Sequence, residues 1–478
     1  MPFVRAFGLL ALCLIVSALL YGGAGDGALL GFDGYPLIAA SRVGSAADLF
    51  SVLGDELMGG RYPDGAFYRP LVHLSFTVND WMGGGTLDPA PFRWTDVVIA
   101  AIAATVIGAI AARLIERLWP VPNLRVPAAV AAVIAALVFL MHRSQLDVVP
   151  YAPRRADALC VLFVAGAALE ALGARRGWAI ALLSLAAFFS KETGVIAVPL
   201  VALIAVLAPP LEDDAWRPRW IAVAACAGAV AVGVAVRTAV LGGLGGHAES
   251  GTAAARDGAG EIVWTLWQLL AAGVPGGAPL VLGLIAAAAI GLPPTGTTGR
   301  TTVIAAAVWA LAALGITAFS GRAHMWYVVA LLPSVAILAG TAVGAALALR
   351  RPAPIAAGAA ALVLAGLLMG ASRNGPQSEA LALAGPVARD QVARFTALVT
   401  ELPPGARAQL NPYVMGVAGG EGAPPVFLHA SYSLQALADL LRPDLEIAVV
   451  PPGQPTPPGA MATIELIFGP PPPDVLPH

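Results

Sequence analysis

The chain has 478 residues, 58% of them hydrophobic and 12% charged, with a formal net charge of -2 and a mean hydropathy of +0.79. That balance excludes an ordinary water-soluble domain, and the near-neutral charge offers no electrostatic footprint for nucleic acid. Almost charge-free windows recur over about the first 370 residues, most of them long enough for a hydrocarbon core about 30 Å thick. Open backbone cannot sit in lipid, so these windows are expected to be helices. The expected fold class is an all-α polytopic membrane bundle of about eleven transmembrane helices, followed by a small C-terminal extracytoplasmic α/β domain.

The apolar run Phe7–Tyr21, preceded by Arg5, reads as a first spanning helix near 6–24 rather than a cleaved signal peptide. Residues 25–96 then form a long acidic loop that carries FDGYPLI (Phe32–Ile38) and FYRPLVHLSF (Phe67–Phe76). Such a loop suits an enzyme working at the membrane surface on a substrate with one end in lipid. Asp33 reads by itself as the cap of a helix that PLIAASR would start.

Further helices are expected near 97–114, 126–141, 157–173, 177–190, 193–208, 220–240, 278–293, 301–319, 326–348 and 354–371. Segment 262–274 would make a helix only about 20 Å long, so it reads as surface-lying or re-entrant, stopped by Pro275. The turns at Arg113/Arg117/Arg125, Arg175/Arg176, Arg217/Arg219, Arg300 and Arg350/Arg351 fall on one side with Arg5, which makes that side cytoplasmic. The loop 25–96, the segment His142–Ala156 and the tail are then extracytoplasmic. Arg143, Arg154 and Arg155 violate the same bias, and binding an anion would explain them. Trp119, Trp178, Trp216, Trp220 and Trp326 lie at expected helix ends, as an interfacial belt requires. Cys13, Cys160 and Cys226 lie inside apolar windows and read as core-filling thiols. The six histidines show no metal-ligand spacing.

Domain organisation follows as 1–371 in the membrane, with the loop 25–96 outside it, and 372–478 beyond it. In the tail, Pro386–Leu402 has the stripe of an amphipathic helix. Val426–Leu428, Leu445–Val450 and Thr463–Phe468 are strand-like, with a helix at Leu434–Leu441. The Pro-rich stretches after Pro451 read as loop and disordered end.

Four motifs point further: HRSQLDVVPYAPRRAD (His142–Asp157), FSKETGVIAVPL (Phe189–Leu200), FYRPLVHLSF, and GRAHMWYVVALLPS around Arg322 and Tyr327. Together they resemble the multi-spanning GT-C glycosyltransferases that use polyprenyl-phosphate-linked sugars. The likeness is nearest to the transmembrane O-mannosyltransferases that end in tetratricopeptide repeats, and to their bacterial relatives. His142, Arg155-Ala156-Asp157 and Ser190–Thr193 match that family's outer-segment and S-K-E-T motifs, while Asp147 and Tyr151 replace its Glu and Trp. The tail has no tetratricopeptide period.

The resemblance implies an integral-membrane glycosyltransferase of a bacterial inner membrane. A polyprenyl-phosphate-linked sugar would be the donor and a protein or glycan hydroxyl the acceptor. No cofactor is implied, the need for a divalent metal is left open, and the partners are membrane lipid, donor and acceptor, with no nucleic acid. It implies Asp33 as catalytic base, with Gly34 where the family often has a second acid and Asp147 as another candidate. Arg155, Arg154, Lys191 and Arg322 become candidates for holding the lipid phosphate. Lys191, the chain's single lysine, reads alternatively as an ion pair with Glu192 closing a hairpin. Tyr68 and Arg69, with His73, either clamp the first loop or touch sugar hydroxyls, clamping being preferred. The other readings are a transporter or flippase of an amphiphile and a catalytically inactive scaffold.

Overall fold

A computed structural model describes residues 3–23, 29, 33–62, 65–118, 124–173, 175–207, 216–243, 245–247, 252–272, 297–319, 324–348, 375–404, 407–413, 416–417, 426–427, 431–449 and 463–467. The expected helices at 278–293 and 354–371 lie outside the described residues, as does Arg322. By contacts the chain divides into two units. One holds Met1–Leu20, Asp96–Val149 and Arg154–Arg373; the other holds Tyr21–Thr95, Pro150–Pro153 and Asn374–His478. The first loop and the tail therefore share a unit.

The first unit is helical: α1 (Phe3–Tyr21), α5 (Pro89–Leu118, from Asp96 on), α6 (Arg125–Met141), α7 (Arg155–Leu172), α8 (Gly177–Ser190), α9 (Ala197–Leu207), α10 (Trp216–Leu241), α11 (Thr252–Ala272), α12 (Thr297–Phe319) and α13 (Val328–Ala348). Among the described residues three stretches, Pro89–Arg117, Arg219–Leu241 and Met325–Ala348, are long and apolar enough to cross a membrane. Large apolar side chains face outward from other helices of the unit: Leu19 of α1 is 81% exposed, and Trp178 of α8 and Leu311 of α12 are each 66% exposed. Only a hydrocarbon solvent leaves so much apolar surface uncovered without penalty.

In lipid no hydrophobic force drives helix against helix, so close backbone approach through small residues must do it. Gly340 and Gly344, four residues apart on α13, meet the alanine face of α6. A methyl at Gly340 would overlap the Ala131 carbonyl, and one at Gly344 would lie 2.8 Å from the Ala131 methyl and 2.9 Å from the Pro127 carbonyl. The rising numbers on α13 meet falling numbers on α6, so the two run antiparallel. Gly108 of α5 approaches the other side of α6, its missing methyl 2.6 Å from the Ala132 carbonyl. Ser17 Oγ of α1 donates to the Val97 carbonyl of α5 at 3.0 Å.

Residues 262–272 are the second half of α11, which has 21 residues and so a length of about 31 Å, longer than the segment read from the sequence. Arg256, Asp257 and Glu261 in the first half hid the helix from an apolar window. Segment 193–208 is divided into a 3-10 turn at Glu192–Ile196 and α9. Gly194 sits where a methyl would strike the backbone of Ala187 and Phe188.

The second unit carries α2 (Gly34–Ser41), α3 (Ala46–Gly54), α4 (Pro70–Met82), α14 (Gly375–Glu401) and α15 (Ser431–Leu441). The strands of its tail are β1 (Arg407–Tyr413), β2 (Gly416–Val417), β3 (Val426–Phe427), β4 (Glu446–Val449) and β5 (Thr463–Ile467). β4, β1 and β5 form a parallel sheet in that order, and β2 pairs with β3 antiparallel. The central strand β1 escapes a reading of the sequence because RAQLNPY neither alternates nor lacks proline. β4 pairs only with Arg407–Leu410, so Pro412 lies where β1 is already an edge on that side. α3 opens with a capping box, Ser45 accepting from the Asp48 N–H while the Asp48 carboxylate accepts from Ser45 N at 2.7 Å.

Candidate functional site

In the second unit Asp33 stands immediately before α2. Its backbone, at φ -91° and ψ 0°, is not in the extended conformation usual for a capping residue, and its side chain makes no cap bond. Instead its Oδ1 accepts a hydrogen bond of 2.7 Å from the hydroxyl of Tyr432, in the first turn of α15. Leu37 N donates to the Asp33 carbonyl at 3.0 Å, so the main chain starts the helix while the carboxylate is directed elsewhere. Neither reading of the sequence foresaw this partner, 399 residues away.

The FYRPLVHLSF residues fasten the first loop to itself. Tyr68 donates its hydroxyl to the Leu53 carbonyl at 2.7 Å. His73 is 1% exposed; its Nε2 accepts from Met58 N at 3.2 Å, so Nδ1 carries the proton and donates to the Val52 carbonyl, also at 3.2 Å. Burial holds the His73 pKa below its usual value. Met58 has a left-handed φ of 60°, rare for a side chain of its size, and the His73 ring holds its N–H in that turn. Arg69 stacks its guanidinium 4.7 Å from the Phe67 ring centre.

In the first unit the motif residues converge. His142 is buried; Ser144 N donates to its Nδ1 at 3.2 Å, and its Nε2 lies 3.2 Å from the Leu270 carbonyl of α11. That makes Nε2 the protonated nitrogen, and burial pushes the pKa down to about 4. Asp147, buried, takes a contact from Arg154: Nη1 donates to its carbonyl at 2.6 Å and stands 3.7 Å from its Oδ1. The Arg154 guanidinium lies 3.9 Å from the Trp326 ring centre, with His324 stacked at 4.1 Å from the same ring. Trp326 is thus engaged by an arginine and a histidine.

Lys191 does not pair with Glu192. Its ammonium is 2.5 Å from Asp157 Oδ1, with both side chains 8% exposed, and 4.7 Å from the Tyr327 ring centre. Glu192 goes to Arg237 of α10 at 2.5 Å. The 3-10 turn that starts at Glu192 sends successive side chains apart, so the adjacent residues reach different helices. Arg155 is fully enclosed and pairs with Asp96 of α5 at 2.5 Å. It ties α7 to α5, whereas Arg154 and Lys191 lie against the half-buried aromatic turn His324–Tyr327. Asp96, Tyr432 and Arg237 escaped the sequence reading because no local spacing announces a partner on a distant helix. Among the described residues no three His, Cys, Asp or Glu side chains come together as metal ligands.

An apolar groove of about 520 Å³ opens between α11, α12 and α13, lined by Trp264, Trp267, Leu270, Leu314, Leu331 and Leu338 among others. At the opposite kind of site, burial and the neighbouring Arg219 and Arg117 lower the Arg175 pKa to about 10, so three of the arginine turns lie near one another.

No protein-family model matches the chain, and no curated protein does. Among solved structures, the chain is similar to the Archaeoglobus fulgidus oligosaccharyltransferase tethered to an acceptor peptide containing an NVT sequon, at 12% identity and a TM-score of 0.44. It is likewise similar to the archaeal oligosaccharyltransferase AglB from the same organism, in complex with an inhibitory peptide and a dolichol-phosphate, at 10% identity and a TM-score of 0.46. Each comparison covers 93% of this chain and 64% of the other, so the chain spans a little under two thirds of the length of these structures.

Proposed function

We propose that the chain is an integral-membrane GT-C-type glycosyltransferase that moves a sugar from a polyprenyl-phosphate donor to a hydroxyl on a protein or glycan, on the extracytoplasmic side of a bacterial inner membrane. The observation that carries this reading is the Asp33 carboxylate. It declines to cap the helix it precedes and bonds a hydroxyl group instead. A carboxylate placed to accept from one hydroxyl can accept from an acceptor hydroxyl too, which supports the reading.

Chemically, Asp33 takes the acceptor proton as the acceptor oxygen bonds the anomeric carbon. The bond from that carbon to the phosphate oxygen breaks, and its electron pair leaves with the phosphate. Fixed cations stabilise the charge that develops there. Lys191 and Arg154 suit this role on their own unit, because each has an aromatic neighbour on the turn 325–327. Arg155, committed to Asp96, supports them by fixing the start of α7. Arg322 belongs to the same proposal on the strength of its motif, as do Asp147 as a second acid and Tyr68 and Arg69 as loop supports. The groove between α11, α12 and α13 suits an isoprenoid chain, and His142 ties its wall at Leu270 to the polar loop.

The test is mass spectrometry of cell-envelope glycans and glycoproteins from a deletion strain complemented with the wild-type or the Asp33→Asn gene. The wild-type gene should restore a sugar-bearing product and the Asp33→Asn gene should not. Restoration by both would remove Asp33 as the base, and an unchanged envelope in the deletion strain would overturn the transferase reading.

A further inference from the structure

Helix α4 has its polar and apolar sides the wrong way round for water. Its inward side holds the polar residues: besides Val72 and Phe76, His73, Thr77, Asn79 and Asp80 are all buried. Thr77 donates to the Ser41 carbonyl of α2 at 2.7 Å, and the Asp80 carboxylate faces Arg42 at 3.5 Å. On the opposite side Leu71, Leu74, Val78, Trp81 and Met82 recur at spacings of three and four. Leu71 and Leu74 are half-buried, while Val78, Trp81 and Met82 are 49%, 58% and 66% exposed. A helix on a water-covered surface turns its polar stripe outward; α4 turns its apolar stripe outward along its 13 residues. The following helix leads into an apolar solvent, since α5 carries the stretch Pro89–Arg117, long and apolar enough to cross a membrane. α4 is fastened to the start of that helix. Asn79 Nδ2 donates to Thr95 Oγ1 at 2.7 Å, the Phe76 and Phe92 rings lie 5.2 Å apart, and a methyl on Gly83 would stand 3.7 Å from the Pro91 ring. Trp94, beside Thr95, is itself 48% exposed.

We infer that α4 is an interfacial helix whose outward side, from Leu71 to Met82, lies in the bilayer surface where α5 enters it, with lipid as its partner. A helix of this kind sinks its apolar side about 5–10 Å into the boundary between headgroups and acyl chains. Tryptophan suits that depth, because its ring is apolar and its indole N–H can still donate to a headgroup. Lipid contact accounts for both sides of the helix at once. The outward apolar side chains leave water, and the inward polar ones keep the bonds that tie α4 to the rest of the first loop. Through Thr77 and Ser41 the bilayer surface then sets the height of α2. Lipid contact at α4 goes beyond the proposed reaction and does not depend on the chemistry assigned to Asp33.

The experiment uses the full chain in nanodiscs of phosphatidylcholine and phosphatidylglycerol, at one chain per disc. Met82→Cys carries an environment-sensitive NBD label, in a chain that also has Cys13→Ala, Cys160→Ala and Cys226→Ala. Lipids with a nitroxide high on the acyl chain should quench that label. Aqueous iodide should quench it far less than a label at Asp444→Cys, an exposed polar position of the same unit. Trp81→Cys, the neighbouring outward position, gives the same measurement if Met82→Cys fails to fold. Quenching by iodide as strong as at Asp444, with nitroxide lipids without effect, would overturn the inference. Shielding from both quenchers in single-chain discs would mean that protein covers the face, and would overturn it too. Shielding from iodide that appears only with two chains per disc would assign the face to a second copy instead of lipid. No donor or acceptor enters the assay, so its failure and the failure of the Asp33→Asn complementation are distinguishable.

Discussion

Replacing Lys191 by Met separates the energetic role of the lysine from its proposed role toward phosphate. The ammonium and the Asp157 carboxylate are 2.5 Å apart and each 8% exposed. Removing one partner of such a pair strands the other charge and costs about 3–5 kcal/mol. Asp157→Asn strands the ammonium at a similar cost. The double variant Lys191→Met/Asp157→Asn strands neither; what remains is an amide that has lost a partner, a cost of about 1–3 kcal/mol. The double should therefore melt above either single variant, far from the sum of the two losses. Melting of the detergent-purified protein followed by tryptophan fluorescence reads this order directly. Binding to vesicles carrying undecaprenyl phosphate then reads the second role: with stability recovered, the double variant should still bind worse than the wild type. Additive melting shifts would refute the coupling, and wild-type binding by the double would refute Lys191 as a phosphate ligand.

Gly340→Leu and Gly344→Leu should each lower the melting temperature, at a cost of about 3 kcal/mol or more, because the α6 backbone occupies the space required; Gly228→Leu, with nothing within 4 Å, is the matched control. Acidification should destabilise the fold through His142, whose folded pKa of about 4 lies below its unfolded value. The unfolded chain binds the proton first, so stability is intact above about pH 6.5 and falls as the pH drops toward 4, by about 2 kcal/mol between pH 7 and pH 5. His142→Gln should flatten that part of the melting profile. Alkaline phosphatase fused within Gly83–Gly85 should be active and a fusion at Arg176 inactive, as the arginine turns require; activity at Arg176 would reverse the orientation.

Helices were legible wherever an apolar window had its ends marked, as in α6, α8 and α13, and α11 was misread because charge in its first half masked its length. The site was legible as motifs and not as partners. Lys191 drew attention as the single lysine, but its neighbour in sequence was the wrong carboxylate, since a 3-10 turn at Glu192 separates the two side chains. Asp33 announced itself through the loop it sits in. Tyr432 gave no sign, because a serine- and tyrosine-bearing helix start looks the same whether it meets water or a carboxylate. β1 was invisible for the opposite reason: its centre position comes from the strands around it, not from its own pattern.

The seam between α6 and α13 has a mechanical consequence. Alanine and glycine have no rotamers to freeze, so closing the seam sacrifices almost no side-chain freedom. It also leaves nothing that can repack by degrees, and the two antiparallel helices act as one strut. The cation-bearing loop from His142 follows the end of α6, and the aromatic turn 325–327 leads into the start of α13. Both hang from the same end of that strut, so the spacing of Arg154 to Trp326 is set by backbone against backbone, long before any ligand arrives.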